Sequence, residues 1–117
     1  MKLLEMSDIE ILKVAEPMLQ DIVAGNNARD WALFSKHMPE ADAADPKIRK
    51  DIERQWEECE WLTALAPTAE FLGVIRKPEE VVVLWRQTSP KSDEEFLEKL
   101  TLIEVDGKVL QDGIWLE

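Results

Sequence analysis

The hydrophobic period of this chain changes once, near Thr68, and that change decides its class. Before it, apolar residues recur at three- and four-residue spacing. After it, they alternate or run in short β-branched stretches. Helical segments gathered in one half and strands in the other predict an α+β domain, with helices packed on one antiparallel sheet, not a parallel βαβ fold. No repeat or low-complexity tract interrupts the pattern.

The helical half carries its own punctuation. Ser7 and Glu10 form an S-x-x-E capping box, with Met6 and Ile11 at the two positions of a hydrophobic staple. Leu12, Ala15, Leu19, Ile22 and Val23 continue the stripe, and Gly25 is the expected stop. Pro17 predicts a bend near Lys13 or a restart at Pro17 itself. A second helix is expected from Asn27 as cap, with Trp31, Phe34, Ser35 and Met38 on one face and Pro39 ending it. Asp45 caps a third, with Pro46 at its first position. Ile48, Ile52, Trp56 and Cys59 line its inner side. Lys47–Asp51, Arg49–Glu53 and Arg54–Glu58 are i,i+4 pairs on its solvated side, each contributing only tenths of a kcal/mol.

The strand half reads as a four-stranded meander: 69–76, 80–87, 95–105 and 108–117. Asp106-Gly107 is the strongest local signal in it, because a type I′ hairpin turn needs positive φ at both central residues. From that turn, Val105 faces Lys108, Ile103 faces Leu110 and Lys99 faces Ile114. Leu97, Thr101, Ile103, Val105, Leu110, Ile114 and Leu116 then share one face, and Leu100, Leu102, Val109, Gln111, Gly113 and Trp115 the other. In the first hairpin Phe71, Gly73, Ile75, Val82, Leu84 and Arg86 oppose Leu72, Val74, Val81, Val83 and Trp85. A sheet covered on one side alternates apolar and polar residues. This one is apolar on both, which predicts a second cover, most simply another copy of the chain in a homodimer through the sheet.

Capped N-terminal helices ahead of the phrases 71–75 (FLGVI), 81–85 (VVVLW) and 100–115 (LTLIEVDGKVLQDGIW) resemble the nuclear transport factor 2-like superfamily, whose cone-shaped fold is cystatin-like. The resemblance spans nearly the whole chain at the level of pattern. It implies three N-terminal helices (about 7–65) on a curved four-stranded antiparallel sheet (about 68–117) in one domain, 1–117. It also implies a pocket between helices and sheet, and often dimerisation through the sheet. Members usually place a short strand or hairpin between the second and third helices, and residues 38–45 carry no strand signal. The fold hosts isomerases, dehydratases and non-catalytic binders, so it fixes no single activity.

Composition narrows the function classes. Twenty-five acidic and 14 basic residues leave a net charge of −11, which repels phosphate backbones and anionic lipid and so argues against nucleic acid. The charge serves solubility or an acidic surface for a basic partner. A single cysteine, Cys59, makes no intramolecular disulfide, and a reducing cytoplasm suits it. The apolar run at the start is too short for a signal peptide, and no stretch approaches the ~20 apolar residues of a membrane span. One cysteine and one histidine build no zinc site, Glu57, Glu58 and Glu60 lack the spacing of a calcium loop, and no glycine-rich nucleotide motif is present. No metal or cofactor is expected.

No catalytic set assembles from these residues. His37, the one histidine, sits seven residues after Asp30, too far along a helix to touch it, so Asp30 reads as a cap. The chain has no tyrosine, which removes the oxyanion donor of ketosteroid-isomerase-like enzymes of the resembled superfamily. Five tryptophans are the compositional oddity, and they either fill the core or line an aromatic pocket for a flat or apolar ligand. The candidate ligand-binding residues are Trp31, Phe34, Trp56, Trp85, Arg86, Gln111 and Trp115. Arg86 and Gln111 are its orienting polar groups, although Arg86 equally fits a strand-edge residue paired with a carboxylate. The expected function is small-molecule binding. The alternatives are an enzyme of the same fold with an unfamiliar acid/base set, and an acidic interaction or inhibitor domain.

Overall fold

The computed structural model describes residues 2–117 and is an α+β fold. Four α-helices among the described residues, α1 (Asp8–Ala28), α2 (Trp31–Phe34), α3 (Glu40–Ala43) and α4 (Pro46–Glu58), precede the strands β1 (Glu70–Arg76), β2 (Val81–Gln87), β3 (Phe96–Val105) and β4 (Lys108–Leu116). The strands form one antiparallel sheet in the order β1-β2-β3-β4. The short helix α3 occupies the segment without strand signal and makes four helices where three were expected. No helix among the described residues is long and apolar enough to cross a membrane.

Helix α1 begins as its capping box dictates, with the Ser7 hydroxyl accepting from Glu10 N–H and the Glu10 carboxylate accepting from Ser7 N–H. Its end differs from expectation. The helix neither restarts at Pro17 nor stops at Gly25, but runs on to Ala28 and closes on Arg29 in the left-handed region, φ 53°. Gly25 serves a different purpose: a Cβ there would lie 2.6 Å from the Phe34 backbone nitrogen. The glycine lets α2 pass across α1 at backbone contact. Asn27, expected to cap α2, lies inside α1 and clasps the Leu65 backbone through both its amide groups. Asp30 caps α2 instead, accepting from Leu33 N–H. Asp45 caps α4 with Pro46 in the first turn, as expected. On its outer side Arg49–Glu53 and Arg54–Glu58 pair, and Asp51 pairs with Arg54, not with Lys47.

The hairpin at Asp106-Gly107 has positive φ at both residues, 52° and 79°, and seats Val105 against Lys108 and Ile103 against Leu110. Beyond Thr101 the expected register fails by one residue. An irregularity at Asp112 places Lys99 opposite Trp115 and Leu100 opposite Ile114. A second irregularity at Leu72 does the same in β1, pairing Phe71 with Trp85 and Gly73 with Leu84. Because side chains alternate with a period of two, each extra residue swaps the faces beyond it. Phe71, Ile114 and Leu116 therefore join the helix-facing side, and Gly113 and Trp115 go to the outer side. The core lies between α1, through Ile11, Ala15, Leu19 and Ile22, and the helix-facing rows Val81, Val83, Leu100 and Leu102, all buried.

Candidate functional site

Helix α4 covers the sheet incompletely. Of its inner stripe only Trp56 is buried, while Ile48, Ile52 and Cys59 are half-buried. Ile52 and Cys59 face β4 across a groove of about 430 Å³ that runs from Asp112 to Leu116 along β4 and ends under Trp61 and Leu62. A recess of about 160 Å³ adjoins it, walled by Phe34, Met38, Ile48, Ile52, Ile114 and Gln111. Local sequence explains the opening. The irregularity at Asp112 turns Ile114 and Leu116 inward, and Gly113, just before Ile114, carries no side chain to fill the space beside them. The size falls in the range of small-molecule sites, ~300–1,000 Å³.

Gln111 is the polar element of this recess. Its backbone N–H donates to the His37 carbonyl over 2.7 Å, which fixes the residue at the sheet edge. Its side chain is 1% exposed, yet neither the amide nitrogen nor the oxygen has a hydrogen-bond partner among the described residues. An unpaired buried amide costs about 1–3 kcal/mol. The amide group is thus a donor and an acceptor held side by side against an apolar wall. Around it stand the carboxylates Asp42 and Asp112, which set a negative potential at the mouth.

The expected site residues divide between four places. Phe34, Gln111 and Trp115 border the groove or recess. Trp31 and Trp56 are buried behind Phe34, with ring centroids 5.8 and 5.9 Å from it. Each has its indole N–H satisfied, on the Ala43 carbonyl and the Asn26 side chain respectively, so both are packing residues. Trp85 lies elsewhere, beside a cavity of about 40 Å³ shared with Leu19, Val23 and Gln87. Arg86 is not an orienting group of the groove: it projects from the exposed outer face, 3.8 Å from Glu70 and 3.9 Å from Glu95. The reason is parity, since Arg86 alternates with the helix-facing Trp85 and Gln87.

Two further groups, Trp61 of the five tryptophans and Glu98, were not among the candidate ligand-binding residues. Trp61 stacks on Phe96 at 4.3 Å and closes one end of the groove. Glu98 is fully buried on the helix-facing side, between Trp85 and Leu116 across the strands, and neither carboxyl oxygen has a partner among the described residues. Burial pushes its carboxyl up to about 8, so it is neutral at pH 7. The signal was available: Glu98 shares parity with Phe96, Leu100 and Leu102. His37, for its part, lies 2.7 Å from Asp21, not near Asp30. The hydrogen bond from His37, with Lys36 beside it, holds the Asp21 carboxyl below its ordinary range.

No metal-ligating group of three or more His, Cys, Asp or Glu occurs among the described residues. Cys59 is a free, half-buried thiol on the groove wall. No protein-family model matches the chain, and no curated protein matches it.

Proposed function

We propose that this chain is a small-molecule-binding domain of the nuclear transport factor 2-like type, and that its ligand lies in the groove between α4 and β4. The observation that carries the reading is the Gln111 amide, buried and without a partner among the described residues at the wall of an apolar recess. A carboxamide offers an N–H donor and a carbonyl acceptor in one plane. Its complement is a planar edge with an adjacent acceptor and donor, as in a primary amide, a lactam or an imide. The aspartates at the mouth disfavour an anion. The ligand class is therefore a flat, largely apolar, uncharged molecule with an amide-like edge, its apolar body lying against Ile52, Ile114 and Trp61. The one free thiol suits a reducing, cytoplasmic setting.

The enzymatic alternative rests on Glu98, whose pKa lies close enough to neutrality for acid–base work. Its carboxyl is enclosed by side chains and is not part of the groove wall, so no reacting atom reaches it. Binding is the better-supported reading.

A calorimetric screen of aromatic primary amides and lactams, with matched carboxylates as controls, tests it. Amides should bind at micromolar concentration and the carboxylates at least tenfold more weakly. Gln111→Leu should abolish the preference while raising the stability of the free protein by about 1–3 kcal/mol, because an unpaired buried amide is removed. An absence of binding at millimolar amide, or equal affinity of wild type and variant, overturns the proposal.

A further inference from the structure

We infer that the edge of β4 takes an extended, basic peptide as a fifth strand, antiparallel to residues 112–116, with its inward side chains in the groove. The inference rests on the reading of the groove as a binding site and names the kind of molecule that presents the amide edge there.

Hydrogen-bond parity along β4 carries the argument. Leu97 and Glu117 exchange both backbone bonds, at 2.8 and 3.0 Å. In an antiparallel ladder such exchanging pairs alternate with pairs whose N–H and C=O point away from the partner strand. Lys99–Trp115 and Thr101–Gly113 therefore exchange, and Glu98–Leu116 and Leu100–Ile114 do not. Since β4 is an outer strand of the sheet, the N–H and C=O of Ile114 and Leu116 face away from it along a free edge. Gln111 has the same outward orientation, and its N–H donates to the His37 carbonyl. The chain thus supplies one rung of a fifth strand itself, and two rungs continue in line beside the groove. Edge strands are ordinarily blunted by lysine or proline. Residues 112–116 (DGIWL) contain neither.

The groove reaches this edge. Its walls include Ile114 and Leu116, which face the helices, and Trp115, which faces away. Side chains of an added strand alternate in the same way. The residue opposite Leu116 points inward beneath Trp61, where an apolar side chain fits. The residue opposite Ile114 points into the recess that Ile114 shares with Gln111. A glutamine there offers the donor and acceptor that the buried Gln111 amide lacks among the described residues. The residue between them points outward beside Trp115, whose ring is 70% exposed. An arginine at that position covers the indole by cation–π contact.

Charge decides which peptide fits. Asp42, Asp51 and Asp112 stand along the groove and recess, and no basic residue lines either. Of the three, only Asp51 is in an ion pair among the described residues, with Arg54. Past Ile114 an antiparallel strand runs toward Asp112 and Asp42, so lysines belong after the glutamine. An acidic segment would meet the field of a chain at −11, and a second copy would bring Asp112 and Glu117 against their own kind. The peptide's charges stay at the mouth, and only its apolar and amide groups enter. Small amides then mimic the part of the peptide that occupies the recess.

The probe is a capped hexapeptide, acetyl-Thr-Leu-Arg-Gln-Lys-Lys-amide, titrated into the full chain by calorimetry at ~0.15 M salt. Binding below about 100 μM is expected, with the backbone amides of Ile114 and Leu116 shifting in the NMR spectrum. Methylated peptides separate backbone pairing from side-chain contact. In this register the leucine and glutamine N–H groups face β4 and the arginine N–H faces solvent. N-methylation at leucine or at glutamine should weaken binding at least tenfold, and at arginine less than threefold. Asp112→Lys and Trp115→Ala, both at exposed positions, should each weaken it at least threefold with an unchanged circular dichroism spectrum. No binding at 1 mM peptide, by a chain that binds small amides, overturns the inference and leaves the groove to small molecules alone. Equal loss from all three methyl groups, or from none, overturns it too, because strand pairing demands the alternation. A chain that binds neither peptide nor amide overturns the underlying reading as well.

Discussion

Glu98 is the residue at which this fold departs furthest from solution chemistry. Its carboxyl is protonated in the folded protein up to about pH 8, against 4.5 for an ordinary glutamate, because burial disfavours the anion and no donor among the described residues compensates it. Between those values the folded chain holds a proton that the unfolded chain has released, so stability falls as pH rises. The contribution is complete below about pH 4.5, declines by ~1.4 kcal/mol per pH unit, and levels off above about 8. Glu98→Gln keeps the shape and removes the titration. Denaturant unfolding should find variant and wild type alike at pH 4, and the variant more stable by about 4 kcal/mol at pH 8. A constant difference across that range would mean that Glu98 is ionised inside the fold, with a partner the geometry does not provide.

At the scale of elements, two junctions set the geometry of the site. One is the crossing of α1 and α2 at Gly25. Replacing a mid-helix glycine by alanine ordinarily stabilises a helix by about 1 kcal/mol. Here the added methyl group would lie 2.6 Å from the backbone of Phe34 and push α2, with the groove wall it carries, off the core. Gly25→Ala should therefore lower stability by at least 1–2 kcal/mol, read by urea denaturation; a gain would show that the helices can separate freely. The other junction is the irregularity at Asp112. It turns Ile114 and Leu116 into the groove and Trp115 out to the opposite face, so one extra residue decides which side chains of β4 line the groove.

For the whole molecule the controlling quantity is a net charge of −11 on 13.5 kDa. Exposed ion pairs such as Arg49–Glu53 contribute only tenths of a kcal/mol each. They do not offset the mutual repulsion of the unpaired carboxylates, which acts at long range in dilute buffer. Raising ionic strength from about 0.01 to 0.15 M shortens the screening length from ~30 to ~8 Å. The melting temperature should rise by a few degrees, about what 1 kcal/mol produces in a domain of this size. Calorimetry at one fixed, low chain concentration keeps any concentration dependence out of the measurement. A fall with salt would mean that the ion pairs outweigh the repulsion.

Much of what is written in local sequence was legible without the fold. The Ser7–Glu10 box, the Asp45-Pro46 start and the Asp106-Gly107 turn depend on residues within a few positions of one another, and each stands as expected. So does the α+β order, because hydrophobic period is itself a local property. Gln111 was also visible, as a polar residue on an apolar strand face. What distance along the chain concealed, only packing decided. Gly25 is a helix terminator by propensity and a contact point by its neighbour nine residues on. The faces of β1 and β4 beyond Leu72 and Asp112 follow from unpaired residues whose positions depend on the partner strand, and a single such residue reverses every side chain after it. The groove exists because α4 lies too far from β4 to bury Ile48 and Ile52, a separation that no single segment encodes.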